Sequence, residues 1–359
     1  MTCTGECSKV LVADDSAFMR TALTRMIESE PGLKVVGTAQ SGEEALEKIV
    51  TLRPDVLTLD VEMPGLNGLQ TLRRIMQEHP LPVIMVSSLT QKGAETTLEA
   101  LAIGAFDYVP KQQSYVTLDI VKIRDDLVSK IKAAVESARR KPAAKAAAAP
   151  ATNQSKANRN TLAAPPAVIA LGTSTGGPKA LQEILPLLPE DLPVGVLIVQ
   201  HMPRGFTAPF ARRLDNLCHI SVREAADSET IEPGVVYIAP AGQHMTVARR
   251  TAQKVSIHLS QLPEPTLHRP SVDVMMLSVA EVFRASCMGV IMTGMGADGV
   301  HGMKAIADAG GFTLGQDEAS CIVYGMPRSC AEAGVLQRVV PLTQIPEQIM
   351  QAVGYRKHA

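Results

Sequence analysis

The 359-residue sequence contains no Trp, and aromatic residues make up only 3% of it. Single-stranded nucleic acid is usually gripped by exposed aromatic rings, so this composition argues against a base-stacking platform. Basic charge is not in excess either. Lys and Arg number 35 against 36 Asp and Glu, for a net charge of −1, with an isoelectric point near 6.7. That excludes a globally basic nucleic-acid binder. No apolar run approaches the roughly 20 residues a bilayer-crossing helix needs. The opening stretch Met1–Cys7 is polar and lacks the apolar core of a secretory leader. The expectation is a cytoplasmic protein that is not embedded in a membrane. The six Cys are scattered, which suits reduced thiols in that compartment. Cys3 and Cys7 would supply half a metal site, but no matching Cys or His pair follows, and a frayed terminus is the simpler reading.

What the sequence has is enough apolar material for more than one core. Hydrophobic residues account for 46% and charged residues for 20%, and the length suits two domains. Composition breaks at residue 139. From Arg139 to Pro166 the chain has no aromatic residue, no acid, one Leu and six basic residues. Such a stretch cannot bury enough apolar surface to fold alone, so it reads as a flexible Ala/Pro/basic linker. Residues 1–138 carry a net charge of −5, the linker +6, and residues 167–359 carry −2.

Before the linker, strand and helix signals alternate. Short apolar runs lie at Lys9–Ala13, Lys34–Thr38, Asp55–Asp60, Pro82–Ser87 and Ala105–Val109. Helix-period stretches such as Ser16–Glu28, Gly42–Leu52 and Asn67–Glu78 separate them. Continuous apolar strands with intervening helices predict a parallel sheet covered on both faces, here a flavodoxin-like doubly wound α/β domain. After the linker the alternation resumes, with strands predicted at Ala167–Leu171, Val194–Gln200, Val235–Ala239, Gly289–Thr293 and Phe312–Gln316. Helices are predicted at Lys179–Leu188, Ser271–Arg284 and Val300–Ala309, and a hairpin over Thr246–Leu259. This is a second α/β domain with a mostly parallel sheet.

Ligands of parallel α/β sheets gather beyond the carboxyl ends of the strands. Asp14 and Asp15 follow the first predicted strand and Asp60 ends the third, so three carboxylates converge on one rim. They repel one another unless a cation lies between them, and an all-oxygen donor set suits Mg²⁺. Ser87 ends the fourth strand, and Lys111, just past the fifth, brings a positive charge. A carboxylate flanked by Mg²⁺ and Lys can attack phosphorus, because both cations offset charge on the phosphoryl oxygens.

These residues, with Tyr108, resemble the signature of response-regulator receiver domains, and the likeness spans nearly the whole first segment. The resemblance implies that Asp60 is the phospho-acceptor of a histidine kinase. It implies that Asp14, Asp15, Asp60 and the Glu62 backbone carbonyl hold Mg²⁺, and that Ser87 and Tyr108 form a switch pair with Lys111 beside them. One departure is Gln112, where receivers usually have Pro.

The second domain opens with a strand leading into Gly172-Thr173-Ser174-Thr175-Gly176-Gly177-Pro178. Gly172–Gly176 matches G-x-S-x-G, in which a Ser on a strand-to-helix turn is lifted above the sheet. Free N–H groups at the start of the helix can stabilise an oxyanion, and Pro178 suits a first helical turn. A helix-cap role is the competing reading for such a Ser. A nucleophile needs a base, and the base needs an orienting acid. His201 directly follows a strand; His244 and His268 lie in loops and remain candidates. Asp298 follows the strand Gly289–Thr293. The order Ser–His–Asp differs from that of α/β-hydrolases, although triad geometry does not depend on order. Gly294–Gly299 also matches G-x-G-x-x-G, with Asp317 further on, which imitates a dinucleotide fingerprint. Against that, Asp298 would put a negative charge where pyrophosphate must sit. A Walker A loop is excluded because no hydroxyl residue follows Lys179.

The stretches GTSTGGPKAL, IVQHMP, YIAPAGQHM, HRPSVDVM, MTGMGADG and YGMPR resemble the methylesterase domain of chemotaxis protein-glutamate methylesterases, the CheB family. With a receiver, a linker and this domain in order, the likeness covers the chain as 1–138, 139–166 and 167–359. It implies Ser174 as nucleophile, His201 as base and Asp298 as orienting acid, with Thr175 and Met295 supporting the site. It implies hydrolysis of glutamyl methyl esters on chemoreceptors, with methanol released, and deamidation of receptor glutamines. No cofactor is expected in this domain. The partners implied are methylated chemoreceptors and a chemotaxis histidine kinase, and the receiver is expected to inhibit the esterase until Asp60 is phosphorylated. The alternatives are an inactive interaction scaffold of the same fold, a nucleotide-binding domain built on Gly294–Gly299, and a transcriptional regulator. The last would need a basic recognition module that residues 167–359 lack.

Overall fold

Apolar runs rich in Val, Ile and Leu form the strands of the first unit: β1 (Ser8–Ala13), β2 (Leu33–Ala39), β3 (Val56–Asp60), β4 (Val83–Ser88) and β5 (Asp107–Lys111). Between and after them run α1 (Ala17–Glu28), α2 (Gly42–Leu52), α3 (Gly68–Glu78), α4 (Gln91–Ile103) and α5 (Thr117–Ala144). The structure is a computed structural model and describes residues 7–88, 90–111, 117–144, 165–251 and 254–356. The chain divides into two units, residues 1–148 and 149–359. Cys3, Gln112 and the part of the expected linker at 145–164 lie outside the described residues.

Polar caps fix where these helices begin. Ser16 accepts from the Met19 N–H, and Ser41 from the Glu44 N–H. Asn67 and Gln70 form a reciprocal capping box with hydrogen bonds of 2.9 and 3.1 Å, which satisfies two orphan N–H groups at once. The strands pair in parallel in the order β2-β1-β3-β4-β5, the flavodoxin-like arrangement. Helices cover both faces, so β3 is buried along its whole length. Helix α5 runs on to Ala144, past the boundary expected at residue 138. Arg and Lys are strong helix formers, so a helix started upstream propagates through Arg139–Lys141, and Pro142 follows close to its end.

The second unit contains β6 (Val168–Thr173), α6 (Gly177–Ile184), β7 (Gly195–Gln200), α7 (Thr207–Asp215), β8 (Ser221–Glu224) and β9 (Val235–Ile238). There follow β10 (His244–Arg249), β11 (Val255–Ser260), α8 (Val272–Phe283), β12 (Cys287–Ile291) and α9 (Val300–Asp308). The chain closes with β13 (Phe312–Gln316), α10 (Met326–Glu332), β14 (Arg338–Val340) and α11 (Ile345–Ala352). Seven strands form one sheet in the order β14-β13-β12-β6-β7-β9-β8, and every neighbouring pair is parallel. The expected hairpin is β10–β11, an antiparallel ribbon apart from this sheet. Met275, Met276 and Val279 of α8 join Met245 and Ile257 of the ribbon and Val168 and Ala170 of β6 in one buried cluster.

From β6 the chain first builds one half of the sheet through β7, β9 and β8, then crosses back to add β12, β13 and β14 on the other side. The strand order therefore reverses about β6, and a crevice opens beyond the strand ends there. In the first unit the reversal lies between β1 and β3. Among the described residues, no helix is long and apolar enough to cross a membrane.

Candidate active site and phospho-acceptor site

At the reversal point of the first sheet, Asp14 follows β1 and Asp60 ends β3. Both carboxylates are buried, whereas Asp15 is exposed at the rim. Lys111, from the end of β5, reaches Asp14 Oδ2 at 2.8 Å and Asp60 Oδ2 at 2.7 Å. One ligand oxygen from each of Asp14, Asp15 and Asp60 lies within 4.8 Å of the others. Burial pushes the Asp60 carboxyl up to about 6, against the opposing pull of Lys111, and the charge of Asp14 raises it further. Burial also works against the Lys111 ammonium, but its hydrogen bonds to Asp14 and Asp60 hold its pKa above the ordinary amine value. Three carboxylates face one ammonium, and that excess of negative charge in an all-oxygen donor set fits a divalent hard cation such as Mg²⁺.

The loop geometry supports this cluster. The Ser16 N–H donates to Asp14 Oδ1 at 2.9 Å, and the Glu62 N–H to Asp60 Oδ1 at 3.3 Å. Arg20 Nη1 binds the carbonyls of Asp14 and Asp15 at 2.8 and 2.9 Å. A cleft of about 610 Å³ has Asp15, Glu62, Met63 and Asn67 in its wall. Ser87 is fully buried, and its hydroxyl donates to the Gly93 carbonyl at 3.2 Å. The Tyr108 ring is buried as well. The sequence reading missed Lys130 of α5, whose ammonium lies 5.3 Å from the centre of the Tyr108 ring and donates to the Tyr108 carbonyl at 2.7 Å. A lone Lys in a helix gives no sign that it will fold under a strand.

In the second unit Ser174 follows β6, His201 follows β7, and Asp298 lies in the loop between β12 and α9. Thr173 and Gln200 are register partners in adjacent strands, and the His201 N–H donates to the Thr173 carbonyl at 3.1 Å. The residues one step beyond that pair, Ser174 and His201, are thereby brought side by side. The Ser174 N–H crosses to the Thr293 carbonyl at 3.0 Å, tying β6 to the loop after β12. Gly176 has φ +79, a left-handed conformation that Gly adopts without strain and that turns the chain into α6. At Gly294 a Cβ would lie 2.3 Å from Met326 Sδ and 2.9 Å from Ser174 Cβ, so only Gly lets this loop approach the serine.

His201 Nε2 meets Asp298 Oδ2 at 2.8 Å. Its Nδ1 is buried and has no hydrogen-bond partner among the described residues, the Ser174 hydroxyl included. Asp298 is held at the N-terminus of α8. Ser271 Oγ donates to its Oδ1 at 2.8 Å, the Val272 N–H to Oδ2 at 2.8 Å, and the Asp273 N–H to Oδ1 at 3.0 Å. Burial alone would raise the Asp298 pKa. The hydrogen bond and charge of His201 and the two α8 N–H groups outweigh it and hold the carboxyl well below its ordinary range.

His244 is not available as a base. Its Nδ1 accepts the Ser271 N–H at 3.2 Å, and its Nε2 meets Thr266 Oγ1 at 3.1 Å. Burial, aided by Arg269, depresses its pKa. His268 stacks on His201, with ring centroids 4.1 Å apart and planes 19° apart. Thr175 is buried and Met295 half-buried beside these loops. The dinucleotide reading gains nothing, because hydrogen bonds within the protein occupy both Asp298 oxygens and Asp317 binds Ser320 locally.

Several positioning residues escaped the sequence reading. Thr173 Oγ1 donates to the Thr293 carbonyl at 2.8 Å, and Thr293 Oγ1 to the Thr175 carbonyl at 2.9 Å. Gln200 Nε2 donates to the carbonyls of Ser174 and His201, each at 3.0 Å. The one signal for them was a polar residue closing an otherwise apolar strand.

Two family models match the chain: CheB methylesterase over residues 169–349, and response regulator receiver domain over residues 10–120. A protein of Oleidesulfovibrio alaskensis named protein-glutamate methylesterase/protein-glutamine glutaminase 1 is 46% identical, covering 96% of this chain and 99% of its own length. A Pyrococcus horikoshii protein named protein-glutamate methylesterase/protein-glutamine glutaminase is also 46% identical, over 96% of this chain and 93% of its own. The crystal structure of the Thermotoga maritima CheB methylesterase catalytic domain superposes with a TM-score of 0.51 at 38% identity, covering 52% of this chain and 98% of that domain.

Proposed function

The chain belongs to the CheB methylesterase family and carries a response regulator receiver domain, and from that premise we propose how its two rims work. The protein is a carboxylic ester hydrolase, a protein-glutamate methylesterase with protein-glutamine deamidase activity. Its substrates are methylated chemoreceptors, and it acts in the cytoplasm.

In our reading Ser174 Oγ attacks the ester carbonyl carbon of a methylated glutamate, and its proton passes to His201. Asp298 holds the imidazole in one tautomer and stabilises its charged form. The observation that carries this reading is the 2.8 Å contact between His201 and an Asp298 anchored on the α8 N-terminus. Because Nε2 donates to Asp298, the lone pair available to the serine proton is on Nδ1. Backbone N–H groups in the Thr175 and Met295 loops stabilise the oxyanion. When the tetrahedral intermediate collapses, His201 gives its proton to the departing methoxide, and methanol leaves. A water then attacks the glutamyl–Ser174 ester, gives a proton to His201, and releases receptor glutamate as that proton returns to Ser174. On a glutamine the same sequence releases ammonia.

Asp60 accepts the phosphoryl group from a chemotaxis histidine kinase. Asp14, Asp15, Asp60 and the Glu62 backbone carbonyl would hold Mg²⁺, which, when bound, neutralises charge on the transferring phosphoryl oxygens. Lys111 offsets the same charge. Ser87 leaves the Gly93 carbonyl to bind the phosphoryl group, and Tyr108 repacks with it. The unphosphorylated receiver restrains the esterase, and a tenfold activation needs only about 1.4 kcal/mol of differential restraint.

The test of the catalytic assignment is methanol release from a methylated chemoreceptor fragment by wild type and Ser174→Ala. The substitution is expected to abolish release without unfolding the protein. Release by Ser174→Ala at more than a tenth of the wild-type rate would remove Ser174 as nucleophile.

A further inference from the structure

We propose that His268 is a positioning residue for the general base: its ring, stacked on His201, holds the imidazole with Nε2 on Asp298 and Nδ1 toward the nucleophile. The proposal rests on the reading of His201 as that base.

Among the described residues the His201 ring has one hydrogen bond, the 2.8 Å contact from Nε2 to Asp298, and its buried Nδ1 has none. A single hydrogen bond fixes one edge of an imidazole but leaves the ring free to swing about it. The second constraint is steric. With centroids 4.1 Å apart and planes 19° apart, the His268 ring lies against one face of His201. A swing about the Asp298 contact would drive an edge of one ring into the face of the other. Stacking thus supplies the restraint that a second hydrogen bond cannot, since Nδ1 must stay open to receive a proton.

The chain path supports this role. His268 stands three residues before Ser271, and the segment 268–273 also delivers the Ser271 hydroxyl and the Val272 and Asp273 N–H groups to Asp298. One short stretch therefore holds both the base and its orienting acid. The stretch is itself pinned: the Gly242 N–H donates to the Arg269 carbonyl at 2.9 Å, the Ser271 N–H to His244 Nδ1 at 3.2 Å, and Arg269 pairs with Glu264 at 2.6 Å. A ring mounted on a fastened segment makes a fixed wall for its neighbour.

The experiment measures kcat and KM for methanol release by the full chain, with Mg²⁺ and phosphodonor present, for His268→Ala, His268→Phe and His201→Ala, with thermal midpoints recorded alongside. Loss of the ring in His268→Ala is expected to lower kcat by ~10- to 100-fold, the scale of a small misalignment of reacting groups, with KM within twofold of wild type. His268→Phe keeps a flat ring and is expected to restore most of kcat. The proposal is overturned if His268→Ala keeps wild-type kcat, if the loss falls in KM, or if the Phe variant is as poor as the Ala variant at an unchanged thermal midpoint. Full activity in His201→Ala would instead overturn the assignment of the base, which separates the two failures.

Discussion

Asp298 accepts four hydrogen bonds, two on each oxygen, from His201, Ser271 and the N–H groups of Val272 and Asp273. That set fixes the carboxylate in place and explains its low pKa. The partial positive charge at a helix N-terminus and the His201 edge both favour the ionised form, and together they exceed the cost of burial. A carboxylate whose folded pKa lies below its ordinary value stabilises the fold when ionised. The stability is fully present above the ordinary value of 3.8 and is lost as the pH falls from there toward the depressed folded value. Asp298→Asn is therefore expected to lower the thermal midpoint most at neutral pH, and the gap from wild type should close below about pH 4. The same variant should lose roughly 10³- to 10⁴-fold in kcat, because the imidazole loses its anionic partner. A stability gap independent of pH would show that the ionised form of Asp298 contributes nothing to the fold.

At the scale of elements, the site depends on how closely α8 lies against β6. A Cβ at Gly172 would sit 2.3 Å from Val272 Cγ1, and Val272 opens the helix that holds Asp298. Gly172→Ala is expected to part these elements, costing about 1–3 kcal/mol of stability as overpacking does. The kcat should fall further than stability explains, because Asp298 moves with α8. Urea denaturation and initial-rate kinetics on the same preparation check both. Much of this arrangement was legible in the sequence, for a physical reason. Parallel strands buried on both faces leave unbroken apolar runs, and the residue after each run must lie on the ligand-binding rim. Asp14, Asp60, Ser174 and His201 were found that way. The rim also carries the polar residues that lace the loops together, and these were not legible. Thr173 reaches a carbonyl 120 positions away, and Gln316 accepts the Thr293 N–H across 23. Neither spacing leaves a periodic trace. Ser271 read only as the start of a helix, which it caps, while its hydroxyl also serves Asp298. The short edge strands β8 and β14 were missed because Ser221–Glu224 and Arg338–Val340 are too short and too polar to form apolar runs.

At the scale of the molecule, each unit puts its chemistry where its own strand order reverses, an acidic pocket in one and a serine with its His–Asp pair in the other. Among the described residues, the acidic pocket sets three carboxylates against the Lys111 ammonium, a donor set that suits a cation. A chain with both makes sense if the state of the first rim sets the rate of the second. Methanol release by the full chain, wild type against Asp60→Asn, with and without Mg²⁺ and a small-molecule phosphodonor, tests that coupling most directly. Wild-type release is expected to rise several-fold with the phosphodonor and only when Mg²⁺ is present, while Asp60→Asn stays at its basal rate under every condition. Equal stimulation of both proteins, or none of the wild type, would contradict control of the esterase through Asp60.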